Sequence, residues 1–493
     1  MGSKSQQSPI TLLTLKQVLE LNNGPTALPL VVDLDRTLVT VDVFHTQLSQ
    51  LLLRRPWVVF WVLSTYLRSG LPNLKQAVFN LSNFDFDHYR INDHVGEVIA
   101  CSDAKRIELC TGACESVAEA VAKRLPAITE FSSSNSARNL TGSTKAAYLC
   151  DKYGEHGFYY IGDSRKDLIV GRHAAGLVLV DQNGDREPSA SRRGLKLLDE
   201  VTREIRAKHW LKNLLVFVPI IASHAVFTEP SGLLTVLLLF GALSLVASST
   251  YVLNDMLDYH SDSVNPLKSH RPLVSGAISF PAAIAVAATL FLSGFALAWV
   301  IGWRGLISCM AYLLLTLLYM YVLKQRVLLD VLGLSGLYVL RVLVGGFVVS
   351  IAVTSWLAMF AFFLFFSLAW VKRYTEIVTL RDEGHDRMPG RSYQGGDGQA
   401  VSMIGISSGF AAILLYSLYI SSDLVQEMYL HPGVLLLAVP VLLYWVSHLW
   451  LRALRLEIDA DPVDWAARDL RSLLAAALLF AIHLGASSPW QLG

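Results

Sequence analysis

Tyr251-Val252-Leu253-Asn254-Asp255-Met256-Leu257-Asp258-Tyr259-His260-Ser261-Asp262 follows directly on an apolar run that begins near residue 232. About 20 apolar residues match the hydrocarbon thickness of a bilayer, so the run reads as a membrane-crossing helix. Its end carries three carboxylates, Asp255, Asp258 and Asp262, spaced three and four apart. Continued as helix, that spacing sets all three on one face, with Asn254 beside them. Like charges this close repel unless cations lie between them. Carboxylates are hard oxygen donors, suited to Mg²⁺ and through it to a polyphosphate. Lys268, His270 and Arg271 follow closely and offer donors to phosphate oxygens. The stretch therefore predicts a helical membrane bundle with an anion-handling face.

Eight other apolar segments accompany this one. Together they lie near 214–230, 232–253, 280–301, 305–323, 328–352, 354–371, 401–421, 433–451 and 470–487, which predicts nine transmembrane helices. The basic residues of the connections set the orientation. The even-numbered connections hold Lys268 and Arg271; Lys324 and Arg326; Lys372, Arg373, Arg381, Arg387 and Arg391; and Arg452, Arg455, Arg468 and Arg471. The odd-numbered ones hold only Arg304. Thirteen against one places the even connections on the cytosolic side of the inner membrane and the C-terminus outside. With 53% hydrophobic residues and a mean hydropathy of +0.44, the 493-residue chain is too apolar for an ordinary soluble enzyme. A net charge of +1 gives no global field for a nucleic acid, so anions must be met by local clusters. Five cysteines without a CxxC pair supply neither a zinc nor a disulfide framework.

Up to about Trp210 the pattern differs. Short apolar runs (Leu30–Val32, Arg106–Leu109, Gly157–Ile161) alternate with charged helical stretches, as in α/β units. We expect a multidomain chain: an N-terminal extension at 1–27, a cytosolic α/β domain at 28–182, a linker at 183–202 and the membrane domain at 203–493. The MGSKSQ start shows no secretory signal, and its fit to an acylation pattern at Gly2 is taken as chance. LVVDLDRTL (30–38) is an apolar strand ending in two carboxylates, Asp33 and Asp35, which can meet one substrate where the strand gives way to its turn. YIGDSRKD (160–167) repeats the form with Asp163 and Asp167. Carboxylates so paired hold Mg²⁺ and leave water and phosphate oxygens to complete its octahedron. Between them, LCTG (109–112) offers the Thr111 hydroxyl, and Lys145 offers a cation.

This order of motifs resembles the haloacid dehalogenase (HAD) phosphatase superfamily over roughly 28–182, a Rossmannoid α/β fold. The resemblance implies that Asp33 is the nucleophile forming an aspartyl-phosphate and that Asp35 is the general acid and base. It also implies that Thr111 and Lys145 hold phosphoryl oxygens and that Asp33, Asp163 and Asp167 bind Mg²⁺. Arg36 stands where that family usually has glycine. Some seventy residues separate the first two motifs, enough for a helical cap at about 43–100. The WVVFWVL run within it (57–63) is too short to span; it reads either as a core helix of the cap or as a helix resting on the bilayer.

In the membrane half, NDxxDxxxD (254–262), Arg271-Pro272 and Ser275-Gly276 resemble the first signature of the UbiA prenyltransferase superfamily, a likeness covering about 203–490. It implies Mg²⁺-dependent cleavage of a carbon–diphosphate bond at the membrane surface. Asp255, Asp258 and Asp262 would hold the metal, and Asn254, Lys268 and Arg271 the substrate. Two branches stay open. In one, phosphoribosyl pyrophosphate carries the diphosphate and a polyprenyl phosphate attacks the ribose. RAKHWLKN (206–213) looks like the lead-in of that branch, with Ala207 and His209 as departures. Lys372, Arg373, Tyr374 and Glu376, with Arg391-Ser392-Tyr393, look like its third cytosolic loop. Arg341 is costly in lipid and is expected to face the bundle interior. Tyr321 and Lys324 complete the substrate-binding candidates. In the other branch an isoprenoid diphosphate alkylates an aromatic quinone precursor, and Asp382 and Asp386 have the spacing of its second metal motif. The acidic stretch around Asp459, Asp461 and Asp469 is expected as a solvated loop or a contact with the HAD-like domain. The first branch yields a lipid-linked ribose 5-phosphate, a substrate for the attached phosphatase. A transporter or scaffold that has kept phosphate-binding motifs is a third reading, and it predicts no turnover.

Overall fold

Leu30, Val31 and Val32 are wholly buried at the centre of a six-stranded sheet in the computed structural model. The structure describes residues 10–23, 27–82, 84–102, 106–135, 138–164, 166–181, 184–185, 204, 206–223, 230–263, 268, 271–382, 384, 391–458 and 461–487. Gly2 and most of the linker (186–202) lie outside them. The chain divides into two units: Met1–Glu204 with Val252–Val286, and Ile205–Tyr251 with Ala287–Gly493. The aspartate-rich stretch after Tyr251, expected in the membrane domain, thus belongs to the same unit as the sheet.

In the first unit the elements are α1 (Leu15–Asn22), β1 (Leu30–Val32), α2 (Val43–Arg54), α3 (Val58–Leu81), α4 (Asp93–Cys101), β2 (Ile107–Cys114), α5 (Glu115–Arg124), β3 (Glu130–Ser134), α6 (Ser143–Tyr153), β4 (Tyr159–Gly162), α7 (Asp167–Gly171), β5 (Gly176–Asp181) and β6 (Gly184–Asp185). The strand order is β3-β2-β1-β4-β5-β6, parallel through β5, with β6 antiparallel at the edge. A strand buried on both faces needs an unbroken apolar run, which is why β1 shows no alternation. Val32 is paired with Leu109 of β2 and Ile161 of β4. Asp33 and Asp163 therefore follow the carboxyl ends of adjacent strands, where open α/β sheets bind their ligands.

Residues 10–23, expected as an extension, are part of this unit. Leu13 N–H donates to Leu177 O at 2.9 Å, Leu177 N–H donates to Thr11 O at 2.9 Å, and α1 buries Leu15 and Val18. The bridge to β5 is a single residue, Leu12, too short to read as a strand from the sequence. The segment between β1 and β2, read from its length as room for a helical cap, consists of α2, α3, a 3₁₀ turn at Phe86–His88 and α4. α3 breaks at Gly70, whose φ of 72° lies in glycine's region, two residues ahead of Pro72. Past the break Leu74 and Val78 are buried. Before it Val58, Trp61 and Val62 pack on the α2 cluster, while Trp57, Phe60 and Leu67 are 69, 75 and 80% exposed. The 57–63 run is thus a core helix on one side only.

Among the described residues eight helices are long and apolar enough to cross a membrane: Pro230–Leu257, Phe280–Ile301, Trp303–Leu323, Leu329–Val348, Ser355–Asp382, Gly395–Ile420, Pro432–Leu454 and Leu470–Ser487. Nine were expected. The first, at 214–230, is instead a short apolar helix, His209–Ala222, that begins as 3₁₀ and becomes α-helical only where Pro219 supplies an N-terminal φ. Within the second unit the helices approach closely at glycines. A Cβ on Gly405 would lie 2.2 Å from the Trp450 ring, and one on Gly345 would lie 2.2 Å from the Val216 carbonyl oxygen. Backbone cannot swing aside as a side chain can. Gly345→Ala is therefore expected to destabilise the bundle by about 1–3 kcal/mol, read as a lower apparent Tm in detergent.

Candidate active sites

At the carboxyl end of the sheet a cavity of about 580 Å³ is lined by Asp33, Asp35, Lys75, Lys145, Asp163 and Asp167, among others. Lys145 Nζ donates to Asp33 Oδ1 at 2.8 Å and to Tyr160 Oη at 2.9 Å. The Tyr160 hydroxyl donates in turn to Asp167 Oδ1 at 2.7 Å. Asp167 Oδ2 accepts from the Ser164 N–H at 2.9 Å and from its hydroxyl at 2.5 Å. Asp35 is aimed by the Val43 N–H at 2.8 Å, the first residue of α2. One oxygen each from Asp33, Asp163 and Asp167 lies within 4.8 Å of the others. Burial raises the Asp33 carboxyl, against the pull of Lys145 and with the push of Asp167. Burial, then Asp167 and Asp33, lift Asp163 to about 7, and burial with Asp42 and Asp33 lifts Asp35 well above its ordinary value. The pocket holds more negative charge than Lys145 offsets, in an all-oxygen donor set. That is the chemistry a hard divalent cation fits.

Thr111 is wholly buried, its Oγ1 accepting from the Ala113 N–H at 3.0 Å, and it does not line the cavity. Gly112, Asn139 and Thr141 form the wall there. Lys75 had no signal in the sequence. It comes from the cap, far from any motif, and its Nζ donates to Gly112 O at 2.6 Å. Arg36 has φ 57°, the left-handed region, which accounts for glycine being usual at this turn. Arg36→Gly is expected to raise stability by up to about 1 kcal/mol, measured by denaturant titration of the full chain.

In the aspartate-rich segment the helix ends at Leu257, turns at Asp258 and resumes over Tyr259–Ser263. Asp255 and Asp262 are buried and Asp258 half-buried. Arg271, expected on phosphate, donates from Nη1 to Asp255 Oδ1 at 2.9 Å and also pairs with Asp262. Lys268 Nζ reaches Asp262 Oδ1 at 3.1 Å, and Asn254 Nδ2 donates to Asp258 Oδ2 at 3.0 Å. These three carboxylates are not among the clusters that converge on one point; the guanidinium lies between two of them, where a cation belongs. Three carboxylates and an amide again form an oxygen-only set that fits Mg²⁺. The segment is fastened within its own unit. The Tyr259 ring meets Tyr89 (6.0 Å) and Phe280 (5.5 Å), and His260 meets His88 (5.0 Å). Ser263 Oγ donates to His88 O at 2.8 Å, and Thr40 Oγ1 to Val274 O at 3.1 Å. His270 lies outside the described residues.

In the second unit Arg341 faces the interior as expected. Its Nε donates to Asn213 Oδ1 at 2.7 Å and its Nη2 to Tyr312 Oη at 3.0 Å, and its guanidinium lies over the rings of Tyr312 and Tyr338. These partners are neutral, and no carboxylate among the described residues pairs with it. Lys372, Arg373, Tyr374 and Glu376, expected in a loop, stand on the helix Ser355–Asp382. Arg373 is wholly buried against Asp330 (2.6 Å) and also pairs with Glu376. Arg391 Nη1 reaches Glu376 at 3.3 Å, and the Tyr393 hydroxyl donates to Asp330 at 2.5 Å. Tyr374 packs its ring against Trp450. Tyr321 is 45% exposed in the π-helical turn Tyr319–Leu323, and Lys324 follows that turn. Asp382 lies 3.7 Å from Arg381; Asp386 and Arg387 lie outside the described residues.

Asp461 departs most from expectation. It is buried and binds two ammonium groups, Lys212 of the lead-in at 2.7 Å and Lys372 at 3.0 Å. Burial opposes its charge, yet Lys372 and Lys212 outweigh burial and hold the carboxyl far below its ordinary range. The link therefore contributes its full stability above about pH 4, the carboxyl's unfolded value, and that contribution falls away only as pH drops from there toward the much lower folded value. Asp461→Ala leaves the buried Lys212 and the half-buried Lys372 uncompensated and is expected to cost about 3 kcal/mol, seen in thermal denaturation at pH 7.

Residues 215–467 match the UbiA prenyltransferase family. Over 482 residues the chain is 28% identical to the uncharacterized protein y4nM of Sinorhizobium fredii, covering 94% of this chain and 92% of that protein. It is 31% identical to the nodulation protein NoeC of Azorhizobium caulinodans, over 57% of this chain and 93% of NoeC. It is 30% identical to decaprenyl-phosphate phosphoribosyltransferase of Mycobacterium tuberculosis, over 37% of this chain and 61% of that enzyme.

Proposed function

Because this chain belongs to the UbiA prenyltransferase family and is an integral membrane protein, we propose that it transfers 5-phosphoribosyl from phosphoribosyl pyrophosphate to a polyprenyl phosphate at the cytosolic face of the inner membrane. The observation that carries a phosphate-bearing substrate is Arg341: a buried guanidinium held by neutral partners can take an anion's charge without first breaking an ion pair. The likeness to a decaprenyl-phosphate phosphoribosyltransferase supports the choice of donor. Asp255, Asp258 and Asp262 hold Mg²⁺, which when bound neutralises the departing diphosphate. Asn254 orients Asp258, and Arg271 and Lys268 pair with the flanking carboxylates. Lys372, Arg373, Tyr374, Glu376, Arg391, Tyr321 and Lys324 complete the substrate-binding set. The lipid phosphate oxygen attacks C1 of the ribose, and the C1–diphosphate bond breaks.

The α/β unit is read as a phosphomonoesterase of the HAD type that removes the 5-phosphate from that product. Asp33 attacks phosphorus while Lys145 holds a phosphoryl oxygen. The ester P–O bond breaks as the proton held at Asp35 goes to the leaving alkoxide; Asp35 then takes a proton from the water that attacks phosphorus, which breaks the Asp33 O–P bond, restores the carboxylate and releases phosphate. Thr111 supports the Gly112 wall from beneath, and Lys75 buttresses it from the cap. Asp163 and Asp167, with Asp33, hold this unit's Mg²⁺. Having both steps on one chain raises the concentration of the first product at the second site.

Full-length protein in vesicles with Mg²⁺, polyprenyl phosphate and labelled phosphoribosyl pyrophosphate is expected to yield lipid-linked label. Chelation should abolish it, and Asp255→Asn should lower it at least about 10²-fold. Label that appears only with an isoprenoid diphosphate and an aromatic acceptor would favour the other branch. Asp33→Asn is expected to accumulate the phosphorylated lipid; equal accumulation in the wild type refutes the coupled second step.

A further inference from the structure

Before its break at Gly70, α3 carries two apolar faces. At 100° per residue, Val58, Trp61 and Val62 fall on one arc and pack against the α2 cluster. Trp57, Phe60, Leu63 and Leu67 fall on the opposite arc and are all exposed. A soluble helix needs only one apolar face; a second one open to solvent, with two aromatics, marks a binding surface. Its charge says what it binds. From Val43 to Phe84 the chain has no Asp or Glu but has Arg54, Arg55, Arg68 and Lys75. The three arginines flank the open face and are exposed. An apolar stripe bordered by arginine, with tryptophan at its edge, matches the boundary between anionic headgroups and acyl chains. The same unit also contains Val252–Leu257 and Phe280–Val286, the ends of two bilayer-spanning helices, so it is tied by its own residues to a membrane surface.

We propose that the Trp57–Leu67 face of α3 lies in the surface of an anionic bilayer and holds the mouth of the phosphatase cavity there. The consequence for substrate rests on the phosphatase reading above. Leu71 and Lys75, on the continuation of this helix, and Pro281, at the start of the span Phe280–Ile301, all line that cavity. A cavity bordered by an interfacial helix on one side and a spanning helix on the other admits a phosphate monoester borne on a lipid in preference to a soluble one.

Two measurements on the full chain test this. In a Cys101→Ser/Cys150→Ser background, Phe60→Cys and Lys123→Cys are each labelled with an environment-sensitive fluorophore. The proteins are then placed in phosphatidylglycerol–phosphatidylethanolamine vesicles carrying lipids spin-labelled near the headgroup. The probe at 60 is expected to emit at shorter wavelength and to be quenched at least about twofold more than the probe at 123, which lies on exposed α5. A water-like probe at 60 overturns the proposal, as does one shielded without lipid quenching, which would mean a protein partner or a second copy. Next, Phe60→Asp/Leu67→Asp is expected to lower hydrolysis of the lipid-borne phosphate about tenfold and to leave hydrolysis of p-nitrophenyl phosphate unchanged. Equal loss on both substrates overturns the link to substrate choice. If the wild type hydrolyses neither, the phosphatase reading fails, and the quenching result alone decides the anchor.

Discussion

A carboxylate withdrawn from water must find a cation, and this chain is organised around places where it does. Asp33 meets Lys145, Asp255 and Asp262 share Arg271, Asp330 takes Arg373, and Asp461 takes two lysines. All but the Arg271 pairs join segments far apart in sequence. The Asp461 bridge ties the lead-in before the spans to the end of the Ser355–Asp382 helix and to a late loop.

The matching is unequal, and the inequality separates structure from chemistry. Asp330 and Asp461 are fully answered, each by two basic groups or by a basic group and a tyrosine hydroxyl. The sheet-end cavity is not: Asp33, Asp35, Asp163 and Asp167 crowd one pocket where Lys145 pairs with Asp33 alone, and the carboxyls of Asp33, Asp35 and Asp163 are raised by burial and by one another. In the aspartate-rich segment one guanidinium lies between two of three carboxylates. Arg341 is the reverse case, a buried cation among neutral groups. Acid in excess suits a metal, and a cation in excess suits an anion, so the imbalances mark where ligands belong.

Much of this was legible beforehand, for physical reasons. Apolar runs of bilayer length, the carboxylates at strand ends and the three-four aspartate spacing are local patterns, and local geometry keeps them. The cap was legible only as length. Lys75 and Asp330 were not legible at all, since a lone lysine or aspartate in a helix carries no periodicity. Thr111 shows a motif residue placed by sequence order whose hydroxyl the fold turns away from the cavity to accept from the Ala113 N–H. Arg36, out of place as a residue type, proved informative because its positive φ explains why glycine is common there.

By itself the sequence determined that the chain has an α/β half and a membrane half, which residues end the strands and spans, and that the basic residues gather in alternate connections between the apolar segments. These follow from short-range hydrophobicity and charge. Only the tertiary structure decided that residues 252–286 belong to the unit of the sheet and that Arg271 sits among carboxylates. It alone revealed Asp461 as a buried bridge and left one face of α3 open. Those depend on which distant groups share a low-dielectric space, and that is set by packing, which no local pattern encodes.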